Sequence, residues 1–268
     1  MSIAQPEALD RFRRDYGAHR AAEGRGYSGE ELLCLPYLTR GRWAKQWAVR
    51  TRSFDAFVAR VVVPLRRAAG RPLQVLDLGA GNGWLSYRLA LAGDDCIAID
   101  IRDDDIDGLG AAAALQRHAS FTCVPASFDA LPVAEDAADL AVFNAALHYA
   151  TDLEATLREA ARTVRAGGQL VILDSPFYAR AADGAAMVAE KHAQSESRFG
   201  ARADTLLALP FIEYLTPDRL AIASAPLGLI WRRRRVRYPL WYEARPLLAR
   251  LRGQRRPSRF DLWTARVA

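Results

Sequence analysis

The chain has 268 residues, 51% hydrophobic and 25% charged. That composition excludes a disordered, collagenous or small disulfide-stapled secreted class and leaves one large α/β domain, or two small ones, as the expected organisation. The formal charge of +6 is uneven: of 37 Lys and Arg, 13 fall in residues 219–268 beside only two acids, so the first 218 residues are net acidic.

In chain order, PEALDRFRRDYGAHRAAEGRG predicts a helix ending near Gly24 and Gly26. Ser28 and Glu31 have capping-box spacing at the start of a second helix. A third, over about residues 43–63, carries Trp47, Phe54, Phe57, Val58 and Val61 at three- and four-residue spacings, with Pro64 marking its end. From Leu73 the pattern changes to strands alternating with helices: PLQVLDLGAG, CIAID, FTCVPA, ADLAVFNAAL and QLVILD. The fourth and fifth are separated by a helix capped by Thr151 and closed by Gly167 and Gly168. This alternation predicts a doubly wound, mainly parallel α/β sheet. Helices are expected at 181–197, 216–228 and 240–252, with LIWRRRRVRYP and RFDLWTARV forming an antiparallel pair at the sheet edge to complete seven strands. Residues 1–68 read as a helical N-terminal cover, 69–268 as the main domain, and 175–215 as a substrate-side insertion.

Cys34, Cys96 and Cys123 are odd in number and form no CxxC, and the four histidines add no metal-ligand spacing. No metal is expected, and reduced thiols in a cytoplasmic protein are. MSIAQPEALDRFRRDY lacks the pattern of a secretory leader, and no window is apolar enough for a membrane span. Oligomeric state is not readable.

The strongest signal is VLDLGAGNGW, residues 75–84. Gly79, Gly81 and Gly83 allow a tight turn and close backbone approach to a ligand, and amides at the following helix start face an anionic group. Asp100 closes the second strand at a distance suited to ribose hydroxyls. A nicotinamide or flavin fingerprint would need glycine at 84, where Trp84 stands. Asp77, just before the glycines, suits a cationic ammonium rather than a pyrophosphate.

These residues resemble the class I S-adenosylmethionine-dependent methyltransferases, and within them the small-molecule branch that includes ubiquinone and menaquinone enzymes. The likeness covers about residues 73–174. It implies a Rossmann-like fold and S-adenosyl-L-methionine as cofactor, with Asp77 ordering the ammonium end, and Gly79, Ala80, Gly81 and Gly83 lining the amino-acid portion. It also implies Asp100 on the ribose, Ile101 beside adenine, and Asn144 near the sulfonium. Ser127 stands where the family commonly has Asp, which shifts the adenine contact to its hydroxyl or to the backbone at Phe128.

His148, leaving the fourth strand, is the candidate general base, with a structural role as the alternative. Asp174, ending the fifth, is a candidate for orienting the acceptor, with Tyr178 as a pocket wall; local turn bonding and packing are the alternatives. Trp47 and Arg50 share a helical face and form either a lid or core packing. A small-molecule acceptor is expected as partner. The basic C-terminal region keeps an RNA methyltransferase open as an alternative, and a non-catalytic cofactor binder is another.

Overall fold

The computed structural model describes residues 6–268; the leader expectation rests partly on residues 1–5, which lie outside them. Four helices come first: α1 (Pro6–Ala22), α2 (Gly29–Cys34), α3 (Ala44–Phe57) and α4 (Val63–Ala69). The expected Ser28–Glu31 capping box is formed. Pro64 does not end the third helix. A π turn over Val58–Val62 precedes it, so the widened bonding pattern takes up the missing N–H and the ring, and the helix resumes to Gly70, which stops it at φ 65°.

The sheet then begins: β1 (Gln74–Leu78), α5 (Trp84–Leu91), β2 (Asp95–Asp100), α6 (Ala113–Gln116), β3 (Thr122–Pro125), β4 (Ala138–Asn144), α7 (Leu153–Thr163) and β5 (Val164–Leu173). Helix α7 is capped by Asp152, not Thr151, through a bond from the Ala155 amide at 3.0 Å. It ends at Thr163 rather than at the glycines. Val164 pairs with Ala138 and Gln169 with Leu140, so the strand bulges across residues 165–168. A Cβ on Gly168 would stand 2.7 Å from the Asp139 carbonyl, which is why glycine occupies that bulge. The remaining elements are α8 (Ala181–Ala193), α9 (Ser195–Phe199), α10 (Ala203–Leu207), α11 (Pro217–Ser224), β6 (Arg232–Arg234), α12 (Leu240–Glu243), α13 (Arg245–Leu251) and β7 (Leu262–Arg266).

The seven strands run in the order β3-β2-β1-β4-β5-β7-β6, parallel from β3 to β5, with β7 antiparallel to both neighbours. Because side chains alternate across a strand, each face has its own core. Val75, Leu140, Val142 and Val171 meet Trp47, Phe57, Val61 and Leu85 on one face. Leu76, Ala141, Phe143 and Ile172 meet Leu157, Ala160 and Leu220 on the other. Helices α2–α4 therefore share the sheet's core. A third, smaller cluster joins Phe12 of α1 to Leu206 and Leu209. Among the described residues no helix is long and apolar enough to cross a membrane.

Candidate active site

Strand order reverses direction of growth at β1 and β4, and the crevice past their C-terminal ends is where such sheets hold ligands. A cavity of about 610 Å³ lies there, lined by Gly79, Ala80, Gly81, Asp100, Ile101, Ser127, Phe128 and Asn144. Its floor is the turn after β1, where Gly79, Gly81 and Gly83 have φ of 76°, 56° and 76°. The amides of the turn are engaged, Gly79 and Ala80 donating to the Ile99 carbonyl and Gly83 to that of Ala80. At the helix start, where the sequence predicts free amides, Trp84 donates to Asn82 Oδ1 and Ser86 to Asp77 Oδ2, each at 3.3 Å. The Asp100 carboxylate accepts from the Gly81 amide at 2.7 Å and the Arg102 amide at 2.8 Å. These bonds fix its orientation. Burial raises its pKa, and the two amides oppose that.

Asp77 and Gly83 lie outside the lining, buried behind the turn. A Cβ on Gly83 would press on Ala112 and Phe121, so its role is packing. Asp77 Oδ2 accepts from the Ser86 hydroxyl at 3.0 Å and its amide at 3.3 Å, while Oδ1 is buried without a partner. Burial pushes this carboxyl up to about 7. A Cβ on Gly79 would overlap that of Ala146, at the cavity wall. The floor thus offers an unsatisfied buried carboxylate oxygen, a turn that only glycine can make, and a fixed acid. These features fit a ligand with a cationic end and vicinal hydroxyls, as S-adenosylmethionine has.

The roof comes from elements distant in sequence. On α1, Phe12 and Tyr16 stack at 5.3 Å, and Tyr16 meets the Tyr149 hydroxyl at 2.8 Å. Phe211 closes the ring edge-on to Phe12 at 4.9 Å and to Tyr149 at 5.5 Å. Arg20 clamps buried Asp107 with its Nε at 2.7 Å, and Asp107 also accepts from the Asn82 amide group at 3.2 Å. All of these residues line the cavity. The roof therefore sets an aromatic cluster beside a charged pair, with the Arg20 guanidinium 5.8 Å from the centroid of the Tyr16 ring.

His148 and Asp174 do not line it. His148 is partly buried with Nδ1 unpartnered, and burial together with Lys191 pushes its imidazole down to about 3. Asp174 is buried behind Arg50: it accepts from Arg50 Nε at 3.3 Å and from the Ser53 hydroxyl at 2.5 Å. Arg50 in turn reaches Asn144 Oδ1 at 3.3 Å and sits over the rings of Trp47 and Trp84. Arg50, Trp47 and Trp84 do line the cavity, so of the two readings of the Trp47–Arg50 face, the site-facing one holds for Arg50. Asp174 and Ala145, which follow β5 and β4, both have positive φ, 50° and 58°, a costly conformation for residues with a Cβ. Tyr178 packs against Tyr214 and accepts from Arg255, away from the cavity. Sequence reasoning missed Phe12, Tyr16, Arg20, Asp107, Tyr149 and Phe211. It also missed Asp129, a lining carboxylate two residues past Ser127 in the same turn, whose amide donates to the Ser127 hydroxyl at 3.2 Å.

Residues 76–172 match the family described as a methyltransferase domain. Over 102 residues the chain is 31% identical to a malonyl-[acyl-carrier protein] O-methyltransferase of Erwinia pyrifoliae, covering 38% of this chain and 37% of that protein. It is 35% identical over 102 residues to a demethylmenaquinone methyltransferase of Mycobacterium marinum, covering 38% and 41%. The chain thus spans about two-fifths of the length of such curated relatives. Among solved structures, the 1,6-didemethyltoxoflavin-N1-methyltransferase of Burkholderia thailandensis, bound to 1,6-didemethyltoxoflavin and S-adenosylhomocysteine, superposes with a TM-score of 0.56 at 19% identity, covering 100% of this chain and 92% of that one. The [4+2]-cyclase SpnF superposes with a TM-score of 0.55 at 17% identity, covering 85% and 83%. At these identities the structures are similar in fold.

Proposed function

We propose, from the match of residues 76–172 to the methyltransferase-domain family, that the protein transfers a methyl group from S-adenosylmethionine to a small-molecule acceptor. The observation that carries this reading is one cavity joining the glycine turn and Asp100 to an aromatic chamber under α1. When bound, the cofactor supplies a methyl group on a sulfonium, already a reactive electrophile. The chain's task is then to bind, orient and exclude water. Asp100 would take the ribose hydroxyls, Ile101 and Phe128 would flank adenine, and Ser127 with Asp129 would meet its amino group. The carboxylate of Asp77 would favour the ammonium end through the turn. Arg50, held by Asp174 and with Asn144 beside it, would meet the cofactor's carboxylate. Tyr16, Tyr149, Phe12 and Phe211 would hold the acceptor.

In this reading residues 1–68 act as cover and 175–215 as the substrate-side insertion, supported by the contributions of α1 and the segment after α10 to the roof. In the same reading Asp174 is a positioning residue, and His148 packs against Tyr149 in the turn after β4 rather than transferring a proton. None of Arg232–Arg237 lines the cavity, which leaves RNA as the weaker reading. Three free cysteines support a reducing, cytoplasmic setting.

The test is incubation with isotopically methyl-labelled cofactor and a metabolite extract, followed by mass analysis of labelled products. A labelled small molecule with stoichiometric S-adenosylhomocysteine supports the proposal. Cofactor binding without release of S-adenosylhomocysteine across the extract would replace it with a binding-only or non-methylating role.

A further inference from the structure

Helices α12 and α13 are turned inside out. Leu248 N donates to the Ala244 carbonyl, so the two run on almost as one helix. Their polar and charged side chains hold them to the body of the protein. Glu243 accepts two bonds from Arg259 at 2.7 and 2.8 Å, Arg245 donates to the Ser258 carbonyl at 2.7 Å, and Tyr242 is buried against Tyr238 and Phe260. Their large apolar side chains face outward. Leu240 is 88% exposed, Leu251 75% and Leu247 61%, with Trp241 and Leu248 also exposed. The spacing of 240, 247 and 251, and of 241 and 248, puts them on one stripe of the helix.

Basic side chains flank this stripe. Arg250 and Arg256 share a shallow depression with Leu247, and Arg252 is exposed on the same turn. Among the described residues these three arginines make no ion pair. Residues 219–268 around them carry a net charge of +11, from 13 basic and two acidic side chains.

We propose that α12–α13 docks the protein on an anionic phospholipid surface, with Leu240, Trp241, Leu247, Leu248 and Leu251 entering the interface and Arg250, Arg252 and Arg256 meeting headgroup phosphates. Apolar side chains at the outermost positions with guanidinium groups at their flanks match the layering of a bilayer surface, acyl chains beneath phosphates. RNA would meet leucines that cannot stack on bases. A second copy of the chain, docked face to face, would bring two strongly basic surfaces together. The surface lies apart from the cavity and does not depend on the acceptor.

The test is co-sedimentation of the full chain with phosphatidylcholine vesicles and with vesicles that also contain phosphatidylglycerol. Wild type should bind the anionic vesicles at least about tenfold better, and less as salt rises. L247S/L248S/L251S should lose vesicle binding, and R250Q/R252Q/R256Q should lose the preference for anionic lipid. Both variants alter exposed side chains and should keep the wild-type melting temperature, which separates a docking defect from misfolding. Quenching of tryptophan fluorescence by brominated lipid, lost in W241F, should report insertion directly. Wild type that stays in the supernatant with both vesicle types overturns the proposal. So does leucine-variant binding equal to wild type, or wild type that forms a salt-sensitive RNA complex and binds neither vesicle type. A dimer that the leucine variant reduces to monomer would assign the stripe to a second copy and also overturn it.

Discussion

Arg50 faces the cavity and Asp174, behind it, holds its guanidinium, so loss of either should have a different effect. R50A should weaken cofactor binding roughly 10- to 100-fold, the worth of a charged hydrogen bond. D174N should have a smaller effect, confined to the cofactor KM with kcat kept, as calorimetry and steady-state kinetics would show. H148A should keep turnover within about threefold, because a working general base contributes about 100-fold or more. A loss of that size in kcat would restore the histidine to the chemistry. Asp77 provides a pH signature in the unliganded protein. Its folded-state pKa is raised by burial to about 7, above its ordinary value of 3.8, so the folded state holds the proton that the unfolded state releases. This group's contribution to stability is complete below about pH 4 and falls as pH rises to about 7, with an upper bound of about 4 kcal/mol. The melting temperature of D77N relative to wild type should therefore be more favourable at about pH 8 than at about pH 5. No difference between the two pH values would mean that Asp77 is ionised in the folded state throughout.

Helix α1 is attached through few contacts, and the roof depends on them. Phe12 joins it to Leu206, Leu209 and Phe211, while Tyr16 and Arg20 bond Tyr149 and Asp107. F12A should raise amide exchange over residues 6–22 by about tenfold or more and leave β1 protected, since the lost packing is local. Equal acceleration in both would show that α1 is part of the global core. The same helix shows where the sequence stopped being legible. The floor of the site could be read because residues 77–83 are contiguous, Asp100 ends β2 and Ser127 follows β3, so period and glycine spacing located them together. The roof could not, because Tyr16 meets a partner 133 residues away and Arg20 one 87 residues away, with no local pattern announcing either. At the level of elements, alternating strands and helices were legible and so was the antiparallel close. The passage of the helix through Pro64 and the bulge at 165–168 were not, because a π turn and a bulge answer to tertiary packing rather than to local propensity.

Across the whole molecule, arginine is used as a structural tie as much as a surface charge. Arg259 joins Glu243, Asp261 and the Val236 carbonyl, a set that one planar fork can span and an ammonium cannot. R259K should cost roughly 1–3 kcal/mol in urea denaturation. Arg259, Arg180 and Arg162 hold Glu243, Asp183 and Glu159 below their ordinary pKa values, with Glu243 pushed down to about 2. Their stabilisation is present above the unfolded values and is lost as pH falls from about 4 to about 2. Acid unfolding should be steep in that window, and flatter in R259K. The placement of β7 between β5 and β6 adds a matter of timing. Residues 174–261 are made after β5 and before β7, so at about 5–20 residues per second the ribosome leaves the edge of β5 without its neighbour for roughly 4–18 s. During that interval a nascent chain exposes an apolar strand edge that the finished protein buries, and protection of this edge while translation proceeds becomes a condition of yield in the cell.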